Sequence, residues 1–81
     1  MASGSSRPGE ELTSKQLAIV RLLVAGRTIK EIAWALGLSD QTVYEHLANI
    51  RVRMRARTLA HIAAIAVSAG LAHPDGMPEL E

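Results

Sequence analysis

The sequence predicts an all-α fold of four helices, and three observations carry that prediction. Apolar residues recur at three- and four-residue spacing in four successive segments. Each segment opens on a threonine or serine placed to cap a helix, and three of the four close at Gly26, Gly37 or Gly70. Aromatics are reduced to Trp34 and Tyr44, so the core must be Leu, Ile, Val and Ala. Those side chains suit closely packed helices better than a sheet.

Helix 1 begins with a capping box, Thr13 with Gln16, and carries Leu17, Val20, Leu23 and Val24 on one face as far as Gly26. A second capping box, Thr28 with Glu31, opens a short helix 2 that stops at Gly37. Ser39 caps helix 3, which runs to about Arg55 with Val43, Leu47, Ile50 and Met54 as its core stripe. Thr58 caps helix 4, ending before Gly70, with Leu59, Ile62, Ala63 and Ala66 turned inward. Residues 1–11 and 73–81 are small, polar and rich in Gly, Pro or acids, and read as flexible tails around a 12–72 domain.

Eighty-one residues make one small domain. There is no cysteine, which excludes disulfides and thiolate metal sites. No apolar run is long enough to span a bilayer, and no signal-peptide layout precedes helix 1, so a cytoplasmic chain is expected. The net charge of +1 conceals an asymmetry. Between Leu12 and Ala72, Lys15, Arg21, Arg27, Lys30, Arg51, Arg53, Arg55 and Arg57 face only Glu31, Asp40 and Glu45, an excess of five. A basic body with acidic ends fits a polyanionic partner.

Ile29 to Ala48 reads as helix, tight turn, helix. Ala33 is small where two helices cross, Gly37 can take φ > 0 past a helix end, and Ser39 caps the next helix. Ile32, Leu36, Leu38, Val43 and Leu47 fill the wedge between them. Such a motif lets its second helix enter a DNA major groove. On helix 3, Gln41, Tyr44, Glu45 and Ala48 lie opposite the core stripe, with Val52 and Arg55 further along. Gln41 and Thr42 suit phosphate or base contact from the first turn. Tyr44 suits a base, a thymine methyl or a phosphate; Glu45 is either an acceptor for cytosine N4 or a solvated helix charge. Arg51, Arg53, Arg55 and Arg57 scatter round the helix, yet together they make its end cationic enough to hold phosphates.

Over residues 12–71 the chain resembles the LuxR-type (GerE-like) helix-turn-helix domain of bacterial transcription regulators. The resemblance rests on Leu12-Thr13, Gly26, Lys30-Glu31-Ile32-Ala33, Ser39 with Thr42-Val43 and His46, Asn49-Ile50, and Gly70-Leu71. It implies that helix 3 reads double-stranded DNA and that helix 4 forms a two-fold dimer. It also implies phosphate contacts from Thr42 and Arg53, with Lys30 a further backbone contact. His46 and Asn49 occupy family positions, and a structural or phosphate role is favoured for His46. No cofactor, catalytic group or metal set is expected. Four departures stand out: Gln16 replaces an acid, Tyr44-Glu45 follows Thr-Val in place of a basic residue, Leu59 replaces an Arg, and Met54-Arg55-Ala56 replaces Leu-Gly-Val. Losing that glycine implies that helix 3 continues longer or turns differently.

Helix 4 has no charged residue other than a protonated His61, and is apolar nearly all round. Ala64, Ile65, Val67 and Ser68 fall on its other sides and are the expected homodimer interface; tolerated exposed alanine is the alternative. Trp34 is expected to be partly buried against helix 4 or the N-terminal segment, with a protein-docking anchor as the second reading. Together these features predict a stand-alone, non-enzymatic regulator that binds an inverted repeat as a homodimer. An adaptor docking on RNA polymerase, a sigma factor or another regulator is the alternative. A promoter-reading piece of a sigma factor is a third reading and fits His46 and Gly70-Leu71 less well.

Overall fold

A computed structural model describes residues 12–71; the expectations for residues 1–11 and 72–81 lie outside it. Four helices follow one another: α1 (Ser14–Val24), α2 (Ile29–Leu36), α3 (Asp40–Met54) and α4 (Leu59–Ser68), with no strand among the described residues. α1 and α3 each pack against the other three helices. The core they enclose is aliphatic: Ile19, Val20, Ile32, Val43, Leu47, Ile50 and Ile62 are its largest fully buried side chains.

The helix starts lie where the caps place them. Thr13, Thr28, Ser39 and Thr58 each accept, through the side-chain oxygen, the backbone N–H three residues on, at 3.0–3.1 Å. Gln16 and Glu31 reach back to the cap N–H, completing both capping boxes. At α4 the reciprocal bond is different: His61 Nδ1 accepts the N–H of Arg57, one residue before the cap, at 3.0 Å. That bond places the ring proton of a neutral His61 on Nε2.

All four helices end in the same two-bond reversal. The N–H groups of Arg27, Leu38, Ala56 and Leu71 reach back five residues to the carbonyls of Leu22, Ala33, Arg51 and Ala66. Just before each, Gly26, Gly37, Arg55 and Gly70 have positive φ and donate to the carbonyl three residues back. Three of these residues are glycine; the fourth is Arg55, at φ 56° and ψ 39°. The missing glycine therefore neither lengthens α3 nor redirects its end. Arg55 holds the left-handed conformation, because Ala56 is buried behind it and both reversal bonds form. An L-residue there costs about 1–2 kcal/mol, partly offset by glycine's greater freedom in the unfolded chain. Arg55→Gly is thus expected to raise the melting midpoint by roughly 3–6 °C, for a net gain of about 0.5–1 kcal/mol. An unchanged or lower midpoint in thermal unfolding would contradict this account of the α3 end.

Three placements differ from the sequence reading. The buried face of α1 is Gln16, Ile19, Val20 and Val24, while Leu17 and Leu23 are only half-buried. Gln16 is buried while its amide oxygen accepts the Thr13 N–H, and Ile19 takes the central place on this face. On α4, Ile62 and Ala66 are buried as expected, but Leu59 is exposed at the first turn and Ile65 packs partly against the core. Trp34 is not buried at all: it is 87% exposed. It points about 150° away from the Ile32–Ala33 face, at 100° per residue, and so away from the core.

Candidate nucleic-acid interface

The interface is built on the packing of α2 against α3. Ala33 is buried at their crossing, and Leu36 and Leu38 pack partly onto the core from either side of Gly37. Val43, Leu47, Ile50 and Met54 anchor α3 along its whole length. The opposite side of α3 is thereby left to solvent: Gln41, Tyr44, Glu45, Ala48, Asn49 and Val52 are all exposed.

The helical repeat sorts this surface into three parts. Gln41, Glu45, Ala48 and Val52 occupy the outward centre. Tyr44 and Arg51 lie on one flank; Thr42, Asn49 and Arg53 lie on the other. His46 sits beyond Thr42, half-buried at the edge of the core. The first turn carries an acid, Asp40, beside the Ser39–Thr42 pair. The Ser39 hydroxyl accepts from the Thr42 N–H at 3.0 Å and stands 3.0 Å from the Thr42 hydroxyl, to which it donates. The Thr42 proton is then left to donate outward, beside the positive end of the helix.

The cations are distributed less simply than their spacing implied. Lys30 Nζ lies 3.4 Å from Asp40 Oδ2, joining the first turns of α2 and α3 in an exposed pair of small energetic worth. The pair also sets Lys30 at the entrance to the α3 face. Arg51 Nη1 donates to the carbonyl of Arg57 at 3.3 Å, bracing the turn into α4. Arg53 and Arg57 are exposed, and Arg55 lies beyond the helix end rather than on its face. Sequence reasoning missed the Arg51 brace, since nothing local marks a six-residue reach to a carbonyl. Among the described residues, no three His, Asp or Glu side chains gather as a metal site. No helix there is long and apolar enough to cross a membrane.

The expected dimer residues do not form one surface. Ala64, Ile65 and Ser68 line a shallow concavity with His61 and Ala69. Val67 is exposed, but it points roughly 160° from Ile65 and belongs to a different side of α4.

Residues 10–66 match the family model described as bacterial regulatory proteins, luxR family. The chain belongs to this family. Among curated relatives, this luxR-family chain is 33% identical over 61 residues to the transcriptional regulatory protein FixJ of Rhizobium meliloti, covering 75% of itself and 30% of the relative. It is 39% identical over 54 residues to the transcriptional regulatory protein UhpA of Escherichia coli, covering 67% of itself and 26% of the relative. It is 31% identical over 62 residues to nodulation protein W of Bradyrhizobium diazoefficiens, covering 76% and 27%. The luxR-family chain thus spans less than a third of the length of these relatives. No solved structure matches it significantly. Membership in the luxR family places the chain among DNA-binding bacterial regulatory proteins.

Proposed function

We propose that the chain is a cytoplasmic, non-enzymatic transcriptional regulator that places α3 in the DNA major groove and binds an inverted repeat as a homodimer. One observation carries the reading. In a luxR-family domain, the exposed centre of α3 offers Gln41, Glu45 and Ala48 to base edges, while Thr42, Asn49 and Arg53 line the flank beside them. Phosphates are held by Thr42, Lys30 and Arg53, and by Arg51 once it gives up the Arg57 carbonyl; His46 supports this wall from the core edge. Tyr44 completes the readout from the other flank.

The dimer forms through Ala64, Ile65 and Ser68 of α4, with Val67 outside the contact. A ten-residue helix is only about 15 Å long. Its small side chains fall short of the roughly 1,000 Å² expected of a stable interface. The two copies therefore assemble on DNA, with half-sites about one helical turn apart.

The test is capture of fragmented host genomic DNA across a salt series, followed by sequencing of what stays bound. A recurring inverted repeat held with steep salt dependence supports the proposal; unselective binding lost by physiological salt refutes it. On the recovered site, Arg53→Ala is expected to weaken every duplex alike, by about fivefold to tenfold, and to flatten the salt slope by about one. Glu45→Ala is expected to relax preference at one base pair and leave that slope unchanged. Equal losses on all sequences would remove Glu45 from the readout.

A second reading has one observation in its favour. Trp34 stands over a groove of about 660 Å³ lined by Leu22, Arg27, Lys30, Glu31 and Ala35. An exposed Trp is a common anchor of protein interfaces. An adaptor docking on RNA polymerase, a sigma factor or another regulator would use it. Trp34 fluorescence that shifts with such a partner, and not with DNA, would favour the adaptor.

A further inference from the structure

Two of the most exposed large apolar side chains in the domain lie on α3: Val52 at 73% and Tyr44 at 56%. With exposed Ala48 between them they stand at positions i, i+4 and i+8. That spacing makes one continuous row about 12 Å long, crossing the outward face obliquely. Single apolar residues on a surface need no explanation, but an aligned row on the face aimed at DNA does.

The surroundings of the row limit what can cover it. Arg51 lies along the Tyr44 side, Arg53 lies on the opposite flank beyond Val52, and Arg55 follows just past the end of the helix. An occupant must therefore be anionic at its edges and apolar along its middle. A duplex meets both conditions, with phosphate walls on either side of a major groove floor. On that floor the apolar group among the four bases is the C5 methyl of thymine. Resting on the DNA-binding reading above, we infer that Tyr44, Ala48 and Val52 read thymine methyl groups, and that Val52 is a specificity-determining residue. Glu45, beside the row, accepts from cytosine N4 and repels the O6 and N7 acceptors of guanine. One strand of each half-site then carries the cytosine read by Glu45, with spaced thymines beside that base pair.

The experiment uses the duplex recovered from genomic DNA, with each thymine replaced in turn by deoxyuridine, which removes only the methyl. Affinity is expected to fall about fourfold per methyl lost, the equivalent of about 0.8 kcal/mol for one buried carbon, at two or three positions per half-site and with no change in salt slope. Val52→Ser, with its helix content checked by circular dichroism, is expected to abolish the thymine–uracil difference at one of those positions alone. Sequence-specific binding that is indifferent to uracil at every position overturns this inference and leaves the DNA-binding reading intact. A gain on C5 methylation of cytosine with uracil still neutral overturns it likewise. Failure to bind any duplex selectively removes the DNA-binding reading itself, and the inference with it.

Discussion

Replacing Ile50 with alanine is expected to remove about half of the domain's stability. Ile50 is fully buried on the α3 stripe, in one of the two helices that pack against all the others. Truncating such a side chain costs about 2–5 kcal/mol, since transfer and cavity terms add. A folded unit of this size has only about 3–9 kcal/mol in total. The melting midpoint should fall by roughly 10 °C or more in thermal unfolding followed by circular dichroism. A midpoint within a few degrees of the parent would mean that the core collapses around the gap, and that α3 is less firmly anchored than its burial indicates.

Ala33→Leu should be damaging in a different way. Ala33 is 3% exposed where α2 and α3 cross, and its carbonyl also accepts the Leu38 N–H at 2.8 Å in the turn between them. Three added carbons on so buried a side chain must displace its neighbours, and overpacking of this kind costs about 1–3 kcal/mol. The helices must separate or tilt to relieve it, so the α3 face shifts relative to Lys30 and the α2 N-terminus. Specific DNA binding should therefore fall by tenfold or more at temperatures where the variant is still fully helical. Binding that declines only in step with the folded fraction would show that the crossing tolerates the change.

What the sequence disclosed follows the range of the forces involved. The four caps were legible because each is a contact between residues three apart, and a threonine or serine at the right offset suffices to identify it. The α3 core stripe was legible because its 4-3-4 spacing admits one buried face, and the outward face of the candidate site followed from it. Trp34 was misplaced because periodicity gives the angle of a side chain but not which neighbours wait there. Its apolar character argued for burial, and among the described residues no helix lies on that side to provide it. Leu59 failed for the same reason at the first turn of α4. Arg55 is the opposite case: its chemistry opposes a left-handed backbone, and the tertiary packing of Ala56 overrules it. In the candidate site, the positions of Gln41, Thr42, Glu45 and Ala48 could be read from the chain. The use of Arg51 as a brace could not, because that bond depends on where the α3–α4 turn comes to rest.

The repeated reversal at the helix ends also bears on how fast the domain assembles. Each connection is short and ends as soon as its reversal closes, so neighbouring helices meet after closing loops of a few residues. Loops of that length close in tens of nanoseconds, and small helical domains governed by such local steps fold in microseconds to milliseconds. Docking of α1 with α4 is the step that spans the chain, and the Arg21 Nε to Leu71 carbonyl bond at 3.2 Å marks its completion. Refolding from denaturant should then show a single fast phase. Its rate should be set by the encounter of the two outer helices rather than by the turn between α2 and α3.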